Sequence, residues 1–194
     1  GIAPLIALAH GGTDAQKEEA AATLRNLALD DANRFPIVRQ GGIAPLVALA
    51  RAGTDAQKQH AAGALMNLAE QTAATKLAMS RGLSVSVDNQ MAIVREGGLP
   101  PLIALARNGT YAQKQYAAGA LAGIAINAAN QVEIVREGGI APLIALIHSG
   151  TDEQKEEAAG ALASLANKNI DNQVAIEKEG AVVPLIELVR SGTD

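Results

Sequence analysis

The stretch GIAPLIALIHSGTDEQKEEAAGALASLA, residues 139–166, decides the fold, because the rest of the chain repeats it. Close copies fill residues 1–28, 42–69 and 98–125, and a fifth copy begins at Val183 and runs to the last residue. A chain that repeats one module builds a stack in which each copy buries its apolar side against the adjacent copies. We therefore predict a single array without a central core.

The prolines measure the period. Pro4 and Pro45 stand 41 residues apart, as do Pro101 and Pro142, whereas the step from Pro45 to Pro101 is 56 residues. A period near 42 with helical signals throughout is typical of the HEAT and armadillo class. With a short leading helix included, we place the copies at residues 1–28, 33–69, 89–125, 130–166 and 172–194, with an irregular insertion at residues 70–87.

Each copy predicts three helices, so the fold class is all-α. The first helix starts near an asparagine and ends at a glycine pair, since glycine readily adopts the left-handed backbone conformation that often ends a helix. The second is predicted to begin at the proline, whose missing N–H would be unpaired in a first helical turn. The third begins with a capping box, in which a threonine and a glutamine three residues later satisfy each other's backbone N–H groups, as in Thr151 and Gln154.

Composition excludes several classes of function. The formal net charge is -4 and only three residues are aromatic, which argues against a nucleic-acid binder. No cysteine is present, so disulfides and cysteine-based metal sites are excluded. No apolar run approaches the ~20 residues that span a bilayer, and no signal peptide is visible. We expect no membrane insertion and a cytoplasmic location.

The module resembles the armadillo repeat in the segments GGIAPLIALI, QKEEAAGALASLA and DNQMAIVREGG, and the resemblance covers essentially the whole chain. It looks closest to plant and fungal vacuolar-type armadillo proteins and to plant armadillo ubiquitin ligases. The resemblance implies a right-handed superhelical α-solenoid whose third helices line a concave groove for an extended peptide or a partner protein. It implies no cofactor.

The family's peptide clamp is an asparagine near the end of the third helix, which pairs with the backbone of a bound peptide. By position this role falls on Asn26 and Asn67, while the next two copies carry Gly123 and Ser164. Importin-like members also carry a tryptophan four residues earlier, so nuclear-import recognition is not expected. Those positions here are Ala22, Gly63, Gly119 and Gly160. The alternative is that both asparagines are ordinary helix residues.

A second set of candidate groove residues lies seven positions before the clamp. These residues differ from copy to copy while the surrounding framework does not: Glu19, His60, Tyr116 and Glu157. Variation on one face of a constant frame predicts a surface that reads a partner. Neutral drift on an exposed face would produce the same pattern.

The insertion at residues 70–87 contains a degraded first helix followed by Leu83, Val85 and Val87, which alternate with serines. Insertions in repeat arrays map to loops on one face, so a tolerated partial duplication is one interpretation. The other is a contact for a partner, made by strand-like pairing of those three residues.

The sequence contains no catalytic constellation, because its histidines are scattered and its carboxylates stand on solvated helix faces. We interpret the chain as a non-catalytic protein-interaction scaffold. The alternatives are a designed or consensus-like module without a natural ligand, and a structural subunit docked through the insertion. The chain starts inside a module without a methionine, so we expect a fragment or an engineered window. Array ends without polar caps predict end-to-end self-association, or flanking segments in the native chain.

Overall fold

The computed structural model describes residues 1–70 and 87–191, and this part of the chain contains thirteen helices and no strand. The first helices are α3 (Asp31–Arg39), α6 (Val87–Arg95), α9 (Ala128–Arg136) and α12 (Ile170–Lys178). The second helices are α1 (Ile2–Gly11), α4 (Ile43–Ala52), α7 (Leu99–Asn108), α10 (Ile140–Ser149) and α13 (Val182–Ser191). The third helices are α2 (Asp14–Leu27), α5 (Asp55–Ala69), α8 (Tyr111–Ile124) and α11 (Asp152–Ala166). The predicted α-solenoid of three-helix copies is confirmed.

The third helices pack side by side in chain order, α2 on α5, α5 on α8 and α8 on α11, and the second helices α1, α4, α7 and α10 each pack on the third helix that follows them. Alanines such as Ala62 and Ala118 are fully buried in these contacts and allow close helix approach. Leucines such as Leu65 and Leu121 are equally buried, and burial of such a side chain contributes about 1.5–3 kcal/mol. The core is therefore continuous along the array, as predicted.

The glycine pair ends each first helix as predicted. Gly41 has φ of +82°, a left-handed conformation that favours glycine. The second glycine is required for space, since a Cβ on Gly42 would lie 2.7 Å from Cγ2 of Ile37. In the last copy this position is Ala181, and its N–H donates to the Ile176 carbonyl at 3.2 Å, against 2.9 Å for the Gly42 bond to Ile37.

The second helices start two residues earlier than predicted. Helix α7 begins at Leu99 and α10 at Ile140, whereas their repeat prolines, Pro101 and Pro142, occupy the third helical position. The prediction was wrong because any residue in the first turn lacks an intrahelical N–H partner, so proline is tolerated at the third position too. In α7 the first such bond forms one residue later, from the Leu102 N–H to the Gly98 carbonyl.

The capping boxes are confirmed, and their glutamines also join consecutive copies. Each buried glutamine accepts from the N–H of its capping threonine and donates through Nε2 to the third helix of the preceding copy, at 2.8 Å in all three instances: Gln57 to the Asp14 carbonyl, Gln113 to the Asp55 carbonyl and Gln154 to the Tyr111 carbonyl. The bond of Gln113 spans the insertion. Residues 70–87 therefore do not alter how α8 stacks on α5.

The other end of each third helix is held by an asparagine in the first helix that follows. Asn130 Nδ2 donates to the Ile124 carbonyl at 3.2 Å, and the corresponding bonds come from Asn33, Asn89 and Asn172. The next residue reaches further, since Gln131 Nε2 donates to the carbonyls of both Ala125 and Ser164. The two bonds of Gln131 tie the carboxyl ends of α8 and α11 together.

Arginine replaces this glutamine in one copy. Arg34 is 5% exposed, and its Nε donates to the Ala28 carbonyl at 2.8 Å. Its two terminal nitrogens donate to the Glu70 backbone carbonyl at 3.0 Å and to Glu70 Oε2 at 2.9 Å, and Asp31 lies 3.2 Å away. The buried charge is therefore paired, and it links α3 to the end of α5.

We expect Gln113→Ala to lower the free energy of unfolding by about 1–3 kcal/mol, because it removes the cap and the buried bond to Asp55. Gln16→Ala is the matched control. Gln16 is exposed and caps Thr13 at 2.9 Å, and its Nε2 makes no bond to another third helix within residues 1–70 and 87–191, so only the cap is lost, at about 0.5–1 kcal/mol. Urea unfolding followed by circular dichroism measures both. Equal losses would contradict a role in joining the copies.

Candidate functional site

The candidate site is the surface formed by one side of the four third helices, called here the third-helix surface. It carries the residues that the sequence selects, together with two neighbours that the structure adds, Arg25 and Met66: Glu19, Arg25, Asn26, His60, Met66, Asn67, Tyr116, Glu157 and Ser164. These side chains start from four helices held in parallel by the glutamine and asparagine bonds. The contacts below connect the central ones.

Arg25 crosses this surface from α2 to α8. Its Nη2 donates to the Tyr116 hydroxyl at 2.7 Å, and its Cζ lies 4.5 Å from the centre of the Tyr116 ring, within the range of a cation–π contact. The side chain passes over Gly63 of the intervening helix α5, where a Cβ would lie 2.8 Å from its Cδ and Nε. The glycine at the family's tryptophan position thus makes room for this bridge.

The same arrangement recurs one copy further along with different chemistry. Met66 stands at the position of Arg25 and covers Gly119, where a Cβ would lie 2.7 Å from the methionine sulfur and 2.8 Å from Glu157 Oε2. In the next copy the covering residue is Ala122, and no atom lies within 4 Å of a Cβ placed on Gly160. Long side chains therefore fill two of the three glycine positions, and the third is open.

Glu157 is half-buried beside Met66 and Gly119. Burial raises the pKa of its carboxyl, and the nearby charges of Glu156 and Glu70 raise this pKa further. On this surface α11 carries the carboxylate of Glu157, whereas α2 carries both Glu19 and Arg25. Charge along the third-helix surface is therefore not uniform.

The clamp positions differ in their surroundings. Asn26 is exposed, whereas Asn67 is half-buried and donates through Nδ2 to the Arg25 backbone carbonyl at 2.9 Å. Gly123 packs against the end of α5, because a Cβ there would lie 2.9 Å from the carbonyl oxygen of Ala69. Ser164 is half-buried. The close contact explains why the third copy has no side chain at this position.

The remaining predicted residues lie in separate surroundings. Glu19 is exposed beside Leu8 and Thr23, and His60 is half-buried with an Nδ1 atom that has no hydrogen-bond partner in residues 1–70 and 87–191. Of the predicted insertion contacts, Leu83 and Val85 lie outside the described residues. Val87 begins α6, and its side chain is also outside the described set. The insertion contact stays a prediction.

Two features of the site were not predicted from the sequence. Arg25 and Met66 precede the clamp asparagines and show no recurring pattern that marks them as surface residues. The sequence does contain a signal for these two residues. Arg25 and Met66 each lie in the copy before one that has a glycine, Gly63 or Gly119, at the family's tryptophan position. That relation becomes visible only when the copies are stacked in order.

Pockets elsewhere on the array follow from the stacking of the copies. One of about 500 Å³ lies between α4, α5 and α7, lined by residues that include Arg51, Asp55 and Lys58. The equivalent pocket between α1, α2 and α4, of about 260 Å³, has His10, Asp14 and Lys17 at the same positions. Recurrence with framework residues indicates a structural by-product, and the mixed charges do not converge on one ligand chemistry.

Within residues 1–70 and 87–191 no group of three or more histidine or acidic side chains is placed to hold a metal ion. None of the helices there combines the length and the apolar character needed to cross a membrane.

Comparison with known proteins agrees with this geometry. The family model for the armadillo/β-catenin-like repeat matches residues 86–126 and 127–167. A crystal structure of an engineered protein, 30% identical, superposes with a TM-score of 0.86 over 99% of this chain and 73% of that one. The chain belongs to the armadillo-repeat family. Membership in the vacuolar type stays a prediction.

Two designed armadillo repeat proteins share the fold of this armadillo array. One is 22% identical with a TM-score of 0.86, and covers 100% of this chain and 76% of its own. The other, solved in complex with the peptide (KR)4, is 23% identical with a TM-score of 0.84, and the match covers 75% of that protein and 100% of this chain. A search of curated proteins found no match.

We expect Gly160→Ala to raise the free energy of unfolding by about 1 kcal/mol, because alanine is the better helix former and no atom obstructs its Cβ. Gly123→Ala is the matched substitution in a crowded place. Its Cβ would meet the backbone of Ala69 at 2.9 Å, so we expect a loss of about 1–3 kcal/mol. Thermal and urea unfolding distinguish the two, and a stabilising Gly123→Ala would contradict the close contact.

We also expect Glu157→Gln to stabilise the armadillo array at pH 7. The raised pKa of Glu157 means that the folded chain binds more protons than the unfolded chain in the window above the ordinary carboxyl pKa, about 4.3. Stability therefore falls as pH rises through that window, and below it this penalty is absent. Urea midpoints at pH 4 and pH 7 should show a gap that opens with pH, smaller for the exposed neighbour Glu156→Gln. A gap independent of pH would contradict this linkage.

Proposed function

We propose that this armadillo array is a non-catalytic protein-interaction scaffold that binds an extended segment of a partner protein along the third-helix surface. The observation that carries the proposal is a contrast between two sets of residues. The buried capping-box glutamines that join the copies are constant, whereas a second set of residues differs between copies. The latter occupy one equivalent position on four parallel helices: Glu19, His60, Tyr116 and Glu157. A constant frame with a variable face supports selective binding.

The mechanism is rigid display. Buried glutamine amides fix the start of α5, α8 and α11 against the preceding third helix, and Gln131 also joins the carboxyl ends of α8 and α11. The surface is therefore preorganised, and a partner does not have to order the receptor when it binds. The entropic cost of binding then falls mainly on the partner segment.

Asn26 is the residue best placed to pair with a partner backbone, since its side chain is exposed on α2. Asn67 has one bond to the Arg25 carbonyl, but an amide has two N–H donors and an acceptor oxygen, so it retains bonding capacity for a partner. The designed armadillo repeat protein solved with the peptide (KR)4 supports peptide binding by this fold.

A second candidate function is that of a designed or consensus-like module that only folds. The engineered and designed proteins among the similar structures favour it. Docking into a larger complex through residues 70–87 stays a prediction. So do a cytoplasmic location and end-to-end self-association, for which the exposed side chains of Val183 and Val189 on α13 and Leu8 on α1 are the candidate contacts.

Panning a random nonapeptide library against the purified array tests the proposal. We expect selected peptides to bind Asn26→Ala about 5-fold more weakly than the wild type, the effect of one hydrogen bond worth ~1 kcal/mol. Val132→Ala, on the exposed side of α9, is the control and should leave binding unchanged. Fluorescence polarisation with labelled peptides gives the dissociation constants.

If no peptide is enriched, the scaffold proposal fails and the folding-only module is favoured. If Val132→Ala weakens binding and Asn26→Ala does not, the partner binds the first helices and the third-helix surface is the wrong site.

A further inference from the structure

Arg25 carries a charge that no carboxylate neutralises within residues 1–70 and 87–191. Arg34, Arg136 and Lys155, by contrast, each form an ion pair with a carboxylate. Arg25 instead meets the neutral hydroxyl and the ring face of Tyr116. The guanidinium is therefore held in a half-buried place by a neutral aromatic side chain and keeps its full charge.

The contact with Tyr116 fixes the side chain without using up its donors. A guanidinium has five N–H donors in a planar fork, and the Tyr116 hydroxyl accepts from Nη2. Gly63 allows the aliphatic part to lie flat over α5. The remaining donors suit a carboxylate, which arginine binds through two parallel bonds. Because the rotamer is already fixed, little side-chain entropy is lost on binding.

The position is specific to one copy. Met66 occupies the equivalent place in the next copy, so the cation is replaced there by an apolar group, and Glu157 faces that methionine across Gly119. Arg25 is the one arginine or lysine among the residues that define the third-helix surface. A single fixed cation can set the position of a partner segment along the array.

We propose that Arg25, positioned by Tyr116, binds an aspartate or glutamate side chain of the partner segment and thereby fixes its register on the third-helix surface. The inference rests on the proposed function and adds the chemistry of one partner residue. Tyr116 acts as a positioning residue, because it holds the guanidinium over Gly63.

The test uses the same random nonapeptide library and the full chain. We expect the selected peptides to share an acidic residue at one position and to bind Arg25→Met at least 10-fold more weakly. Methionine is the natural residue at this position in the next copy, so the array should fold. Arg25→Lys keeps the charge without the fork and should lie in between. Arg136→Met removes an exposed charge from α9 and should have no effect.

Tyr116→Phe keeps the ring and removes the hydroxyl. We therefore expect it to weaken the binding of the same peptides by a smaller factor than Arg25→Met does. Replacing the shared acidic residue of a peptide by its amide should abolish the difference between wild type and Arg25→Met, which a merely structural role of Arg25 would not do. Failure to enrich any peptide overturns both proposals. Enriched peptides that lack an acidic preference, or that bind Arg25→Met normally, overturn this inference and leave the scaffold function standing.

Discussion

The structure depends on one constraint: the third helices cover their apolar sides mainly with the third helices of adjacent copies. Ala62 and Ala118 are fully buried in these contacts, and the fully buried Leu65 and Leu121 complete them. Small side chains let the helices approach closely, so the buried contact continues along the array. Stability in such a stack is a sum of copies and of the interfaces between neighbours.

An alanine-rich contact is smooth, and by itself it does not fix how far one helix lies along the next. Buried amides supply that information at both ends. Gln57, Gln113 and Gln154 make the same 2.8 Å bond at the start of the third helices. Asn130 and Gln131 hold the other end of one of them. If one helix slid along the next, these polar groups would be buried without partners. The free-energy cost of an unsatisfied buried polar group is larger than the net stabilisation that its hydrogen bond provides.

The helix order and the third-helix caps can be predicted because their signals are local, as in Thr151 and Gln154. The start of the second helix is less certain, since proline is tolerated at several positions of a first turn. The bridge between Arg25 and Tyr116 could not be predicted. It joins residues 91 positions apart across an intervening helix, and it exists only because Gly63 leaves space between them. The framework features recur in every copy, so the sequence reveals them by repetition. The contacts that define the site, such as the bridge from Arg25 to Tyr116, occur once, so no repetition marks them.

The pairing of Arg34 with Glu70 shows that the copies are alike without being interchangeable. The corresponding places in another copy hold Gln131 and Asn167, which are uncharged. If duplication or recombination put a neutral copy after the one that carries Arg34, the guanidinium would keep Asp31 but lose the carboxylate at the end of the next third helix, and a poorly paired buried cation is strongly destabilising. The order of the copies therefore matters for stability. A copy can be inserted with less loss of stability at a junction with uncharged residues, such as that of Gln131 and Asn167, than at the junction of Arg34 and Glu70.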